Sequence, residues 1–234
     1  IFGVTIATII FPILAQAKAE SNHDLFKRGI ERGLSVMLLL LAPTISGMVF
    51  LIEPIIRIVY ERGAFTESAT MLTSKYSLFY MGSVFFYSIQ AVIAKGFDTL
   101  EKGHYIMRIG LLSIVINILT NYFLAKIMGP EGLALSASIV GFIYSTLTFT
   151  TLYRISGGFN LKYLLKEVGK IGIATLVMIL LLIGIEHYLG LSMLGDIPNI
   201  LINAVIGGLV FAGVLFVLKS STFFDTISIK RRKQ

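Results

Sequence analysis

Three groups of small or polar neutral residues recur at helical spacing inside apolar sequence. Ser113, Asn117 and Asn121 fall every four residues; Ser138, Gly141, Ser145 and Thr148 follow three or four apart; Tyr76, Tyr80, Ser83, Tyr87 and Gln90 are spaced four, three, four and three. A helix gathers residues so spaced onto one stripe. Hydroxyls and carboxamides donate and accept hydrogen bonds, and two roles follow from that chemistry. They bond across to neighbouring helices, or they line a cavity for a polar substrate. Hydrocarbon satisfies neither group, so such stripes must face protein or water, and polar residues at membrane depth are functional candidates.

Most bond-making chemistry is excluded. The 234 residues include no cysteine, which removes disulfides, thiol nucleophiles and Cys-ligated metals. His23, His104 and His187 fall in predicted loops or helix ends and have no H-E-x-x-H spacing, so no metal site is read from them. Glu53 and Glu61 come nearest to a carboxylate pair, but Arg57 and Arg62 beside them make a solvated, ion-paired helix end. An enzyme of the membrane needs acid, base or metal-binding groups clustered near one interface. The sequence offers no such cluster, and the chain reads as a non-enzyme.

The elements that carry these stripes are membrane helices. The composition is 56% hydrophobic and 14% charged, against about 25% charged for soluble domains. Mean hydropathy is +0.85. The fold class is therefore an all-α integral membrane protein. Residues 105–127 and 133–153 each have about the 20 residues that cross a bilayer. Joined by Met128, Gly129, Pro130, Glu131 and Gly132, they form an antiparallel hairpin. Residues 33–52, 69–97, 168–185 and 200–218 are four further spans, and 1–17 is a truncated one expected to bend at Pro12. That makes a helical bundle of six complete and one truncated transmembrane helices. Residues 55–60 prolong the 33–52 span as a broken end. An amphipathic surface helix is predicted over 18–32 and a basic connector over 154–170, broken at Gly157 and Gly158. In the last span Ala204, Gly208 and Ala212 form a small-residue row, suited to close helix contact or to contact with a ligand. Ile1 lies inside an apolar run with neither an initiator methionine nor a signal-peptide pattern, so the chain reads as the carboxyl-terminal part of something longer.

Orientation follows from the basic residues. Alternate loops on one side hold Lys18, Lys27, Arg28 and Arg32, then Lys95, Lys102 and Arg108, then Arg154, Lys162, Lys166 and Lys170, then Lys219, Lys230, Arg231, Arg232 and Lys233. Arg57, Arg62, Lys75 and Lys126 fall on the other. The positive-inside rule makes the first side cytoplasmic, with the carboxyl end inside. A nucleic-acid binder would not divide its net charge of +7 by alternate loops, so nucleic acid is excluded as a partner.

Gly3-Val4-Thr5-Ile6-Ala7-Thr8 with Pro12, then Tyr60 followed by Glu61-Arg62-Gly63-Ala64-Phe65-Thr66, then Gly132-Leu133-Ala134-Leu135-Ser136, in this order, resemble the lipid II flippases known as MurJ or MviN. The E-R-G-A-F-T element is the most specific of the three. The resemblance covers essentially the whole chain, from within the eighth to the end of the fourteenth helix of the family pattern. It implies a transporter that moves an undecaprenyl-pyrophosphate-linked peptidoglycan precursor across the bacterial inner membrane by alternating access of two lobes. Residues 1–153 would then be part of the second transporter lobe, 154–170 a cytoplasmic connector and 219–234 a basic cytoplasmic tail. Residues 171–218 would be two extra helices, with a groove for the lipid tail at Ala204, Gly208 and Ala212. The partners implied are the undecaprenyl-linked lipid, membrane lipids and the amino-terminal lobe of the same polypeptide. Because the family's cationic cavity residues lie upstream of Ile1, this chain alone is expected not to transport. Some members resemble sodium-coupled transporters. On that resemblance Asn117 and Asn121 with the Leu133 backbone and Ser136, Ala137 or Ser138 are candidate sodium ligands; the simpler reading is that they tie the hairpin together. No other cofactor is implied. Three alternatives stand beside the flippase. A polysaccharide-lipid or drug exporter of the multidrug/oligosaccharidyl-lipid/polysaccharide exporter superfamily, whose fold the resemblance implies, is opposed by E-R-G-A-F-T and the extra helices. A membrane glycosyltransferase would need external carboxylates or arginine clusters. A non-transporting membrane scaffold would be told apart by the upstream cavity arginines.

Overall fold

A computed structural model describes residues 2–228, and these contain nine α-helices and no strand. They are α1 (Phe2–Ala19), α2 (His23–Phe50), α3 (Ile52–Tyr60), α4 (Glu67–Thr99), α5 (Gly103–Met128), α6 (Pro130–Ile155), α7 (Leu161–Leu189), α8 (Asp196–Val217) and α9 (Ser221–Ser228). Six of them, α2 and α4 to α8, are long and apolar enough to cross a membrane, and α1 is shorter. The expected all-α architecture with six membrane-length spans is the one observed. Lys230, Arg231, Arg232 and Lys233 of the expected basic tail lie outside the described residues.

The ends of the helices differ from expectation where capping outweighs composition. The break after α1 is only three residues long, with Ser21 at φ +52°. Asn22 then accepts the Leu25 amide at 2.9 Å, and α2 runs unbroken to Phe50. The charged residues of 23–32 are thus the first turns of a span, not a separate surface helix. Gly29 and Gly33, which could have broken it, instead give α1 close approach: a Cβ would lie 2.7 Å from Leu14 at the first and 2.4 Å from Ile10 at the second. Likewise the connector is reduced to Ser156–Asn160. Gly157 and Gly158 are both left-handed, and Asn160 accepts the Tyr163 amide at 3.0 Å to start α7. The hairpin turn is Gly129 alone, at φ +69°, because Pro130 already begins α6, where a missing amide costs nothing.

Contacts divide the chain into two units, the first comprising the chain up to Leu38 with Phe79–Leu165, the second Leu39–Leu78 with the chain from Lys166 on. In the first, Leu14, Ile30, Met37, Val92, Ile93, Phe97 and Leu152 are fully buried and form the core. Here α5 and α6 meet so closely that a Cβ on Gly132 would lie 2.2 Å from the Leu124 carbonyl oxygen. In the second, Gly207 of α8 packs on Leu182 and Met178 of α7. Glu167 of α7 holds the start of α9, accepting the Ser220 hydroxyl at 2.6 Å and the Thr222 amide at 3.2 Å, with Lys170 at 2.9 Å from its other oxygen.

Candidate functional site

The polar stripe of α4 is divided by its neighbours. Ser83 and Gln90 are buried against α6. Along that seam Ser138 donates to the Phe79 carbonyl at 2.5 Å and accepts the Ser83 amide at 2.9 Å; Ser145 donates to the Phe86 carbonyl at 2.8 Å; Thr148 meets Gln90 Oε1 at 2.6 Å. Gly82 and Gly141 allow the approach, since a Cβ on Gly82 would sit 2.7 Å from the Ser138 hydroxyl. Tyr80 and Tyr87 stay about half exposed, at 51% and 46%. Tyr76, half-buried, belongs to the stretch of α4 assigned to the second unit.

Tyr87 joins two recesses of the first unit. One, of about 380 Å³, is lined by Tyr87 of α4, Gly110, Ser113 and Asn117 of α5, and Val140 and Tyr144 of α6, among others. The other, of about 340 Å³, has Tyr80, Ser83 and Tyr87 facing Gly3 and Val4 of α1. No lining residue of either carries a charge. Hydroxyl and carboxamide groups beside aromatic rings therefore set their chemistry: they exchange hydrogen bonds with a polar guest.

Hydrogen bonds divide the candidate sodium ligands. Asn121 Nδ2 donates to Asn117 Oδ1 at 3.0 Å, Ser136 pairs with Thr120 at 2.6 Å, Ser138 turns to α4, and Leu133 is half exposed. Among the described residues no group of three or more His, Cys, Asp or Glu could hold a metal ion.

In the second unit, Glu61, Arg62, Gly63, Ala64, Phe65 and Thr66 build the turn between α3 and α4. Gly63 supplies the left-handed residue at φ +62°. Arg62 donates to the Val59 carbonyl at 2.8 Å, and the rings of Phe65 and Tyr60 lie 5.9 Å apart. The Thr66 carbonyl accepts the Thr70 amide at 3.0 Å, while Glu61 accepts the Thr70 hydroxyl at 2.5 Å. Arg57 reaches three carboxylates: Glu53 at 2.6 Å, Asp196 at 2.9 Å and Glu61 at 3.6 Å. The motif thus ends in a charge cluster that ties α3 to the first turn of α8. A largely apolar cavity of about 390 Å³ lies between Pro43, Gly47 and Met48 of α2 and Asn203, Ala204 and Gly208 of α8, with further residues around it. Ala212 is not among its lining residues. The face of α8 that packs inward is Asn199, Asn203, Gly207, Phe211 and Leu215, one position from the small-residue row expected to make helix contact. The Asn199 and Asn203 carboxamides bond to each other at 2.6 Å within α8, and this face, the more polar one, is turned towards protein rather than lipid.

A model of the family described as lipid II flippase MurJ matches residues 1–202. The chain belongs to the MurJ family. Among MurJ relatives, the probable lipid II flippase of Vibrio cholerae serotype O1 is 28% identical over 153 residues, covering 65% of this chain and 29% of that protein. The lipid II flippase MurJ of Thermosipho africanus is 28% identical over 180 residues, 76% of this chain and 35% of that one. The probable MurJ of Bdellovibrio bacteriovorus is 25% identical over 223 residues, 93% and 42%. A solved structure titled "Lipid II flippase MurJ, inward closed conformation" superposes with a TM-score of 0.76 at 26% identity, covering 97% of this chain and 44% of that one. The chain therefore spans less than half the length of these MurJ relatives.

Sequence reasoning missed Tyr144, Gly110 and Val140 in the cavity wall and Asp196 in the ion cluster. Tyr144 was within reach of it, lying one turn before Thr148 on the stripe of α6. Asp196 is 139 residues from Arg57, and no spacing rule connects them.

Proposed function

We propose that the protein carries the undecaprenyl-pyrophosphate-linked peptidoglycan precursor across the bacterial inner membrane by alternating access, without making or breaking covalent bonds. The match of a lipid II flippase family to residues 1–202 carries this reading. The cavities support it. A hydrophilic headgroup cannot enter hydrocarbon unaided, and neutral hydrogen-bonding walls at membrane depth replace its water. The lipid tail can remain among apolar surfaces, for which the cavity beside Ala204 and Gly208 in the second unit is suited. Since no lining residue of the first unit's recesses is charged, other groups of the transporter meet the pyrophosphate. The carboxyl end is cytoplasmic in this reading, on the distribution of basic residues.

The test is complementation: the full-length gene that includes this chain is expressed in cells depleted of their own lipid II flippase. Growth and cell shape are expected to be restored. Continued lysis with the protein present in the membrane would contradict the proposal. The same cells report orientation, because the chain has no native cysteine. A thiol introduced by Lys162→Cys should be protected from an impermeant reagent in intact cells and labelled after lysis; labelling in intact cells would reverse the topology.

A further inference from the structure

Past the last membrane-length helix the sequence reads Leu218-Lys219-Ser220-Ser221-Thr222-Phe223-Phe224-Asp225-Thr226-Ile227, a polar corner followed by a short amphipathic stretch. The corner is a helix-stop motif: the Ser220 amide returns to the Leu215 carbonyl at 3.1 Å and the Lys219 amide to the Phe216 carbonyl at 3.2 Å, with Lys219 left-handed at φ +49°. A lysine keeps that conformation only where its surroundings enforce it. Here α7 enforces it. Glu167, 1% exposed, accepts the Ser220 hydroxyl and the Thr222 amide, and Lys170, paired with the same carboxylate, donates to the Lys219 carbonyl at 2.8 Å. Thr222 is thereby buried against Glu167, and the exposed side of α9 divides into two flanks. Ser221 and Asp225, four apart, share one; Phe224 and Ile227, three apart, share the other. The Phe224 ring lies 5.5 Å from that of Phe216, which is 63% exposed near the end of α8. This contact carries the apolar surface of a membrane helix across onto α9, where Ile227 extends it by one turn.

We propose that α9 is an interfacial anchor, lying in the plane of the cytoplasmic leaflet with Phe224 and Ile227 at the acyl-chain boundary and Ser221 and Asp225 in water, and that Glu167 is the positioning residue that sets this roll. The inference stands on the topology and not on what is transported. Lipid covers the apolar flank because that flank joins the exposed face of α8 at its last turns, where hydrocarbon gives way to headgroups and aromatic side chains are favoured. Charge agrees: Lys219 is exposed at the corner, and the sequence goes on to Lys230, Arg231, Arg232 and Lys233, which suits an anionic leaflet. An isolated helix of eight residues does not hold its shape in water. The grip of α7 on the corner therefore keeps α9 formed and turned to the membrane.

The experiment uses the full-length protein that includes this chain, with any cysteine outside these 234 residues replaced, in vesicles of phosphatidylethanolamine and phosphatidylglycerol. An environment-sensitive fluorophore is attached at Ile227→Cys or at Ser221→Cys. It is challenged with nitroxides on the lipid acyl chains and with iodide on both sides of the membrane. At 227 the emission should be blue-shifted and quenched mainly by the nitroxides; at 221 it should be red-shifted and quenched mainly by iodide. Glu167→Ala should remove the difference between the two sites, while Glu167→Gln, which still accepts from Ser220 and Thr222, should retain most of it. Where Glu167→Ala fails to enter the membrane, Ser220→Ala is read in its place and should reduce the difference. Iodide quenching at 227 equal to that at 221 overturns the anchor. So does a blue-shifted signal at 227 that neither quencher reaches, which identifies a covering segment of protein, or one that rises with the number of proteins per vesicle, which identifies a second copy. A difference that survives Glu167→Ala intact overturns the role given to Glu167.

Discussion

The seam between α4 and α6 and the contact between α7 and α8 show two ways of joining helices without a hydrophobic driving force. In the first, hydroxyls donate to the carbonyls of Phe79 and Phe86 on the facing helix, and Gly82 and Gly141 bring the backbones together. In the second, a Cβ on Gly207 would meet the Leu182 and Met178 side chains at ordinary distances of 3.4 and 3.5 Å, and the carboxamides of Asn199 and Asn203 bond within their own helix. A hydrogen-bonded seam fixes register and rotation. A contact of apolar side chains leaves both looser, as suits a wall beside a flexible apolar guest. The polar recess adjoins the first kind of contact and the apolar cavity the second, so each cavity is built on the packing its chemistry requires.

Substitutions that fill a close approach should separate the two kinds of contact. The largest effect is expected at Gly132, where Gly132→Val pushes side-chain atoms into the Leu124 carbonyl and must open the hairpin, at a cost of about 3 kcal/mol or more. Chemical unfolding in micelles measures it, and a midpoint equal to the wild type would show that the backbones are not in contact. Next comes a paired comparison. Gly82→Ala places a methyl group 2.7 Å from the Ser138 hydroxyl and displaces both of its bonds to α4, costing about 1–3 kcal/mol. Gly208→Ala enters open space and should change stability by no more than about 1 kcal/mol, in the stabilising direction through helix propensity. Equal effects at the two positions would erase the distinction drawn between the contacts.

How much of this was legible in the sequence depended on whether an interaction is local. The stripe of Ser138, Gly141, Ser145 and Thr148 was legible because helical period fixes which residues share a face. Period does not fix which neighbour that face meets. The expected partnership within the hairpin is made by Thr120 and Ser136, whereas Ser138, Ser145 and Thr148 serve α4. In α8 the size of Ala204, Gly208 and Ala212 pointed to a packing row, but the face turned towards protein is the more polar one of Asn199 and Asn203, one residue away. The turn at Gly63 could be read from composition. The reach of Arg57 to Asp196 could not, since it joins segments remote in the chain. Asn22 and Asn160 were in plain view as helix caps, yet their charged surroundings suggested separate surface segments.

The central claim is that Tyr87, Asn117 and Tyr144 face a wetted recess, whereas the neighbouring apolar side chains of α5 face lipid. Cysteine alkylation tests it most directly, with rates read against the unsubstituted protein, since these 234 residues contain no thiol. A water-soluble maleimide reacts only with a thiolate that water can reach. Asn117→Cys should react about tenfold or more faster than Ile118→Cys, one residue along, whose side chain is 62% exposed on the apolar surface of the helix. Equal rates, or a faster reaction at 118, would mean that the recess is dry, and the account of how this chain carries a polar headgroup would fail.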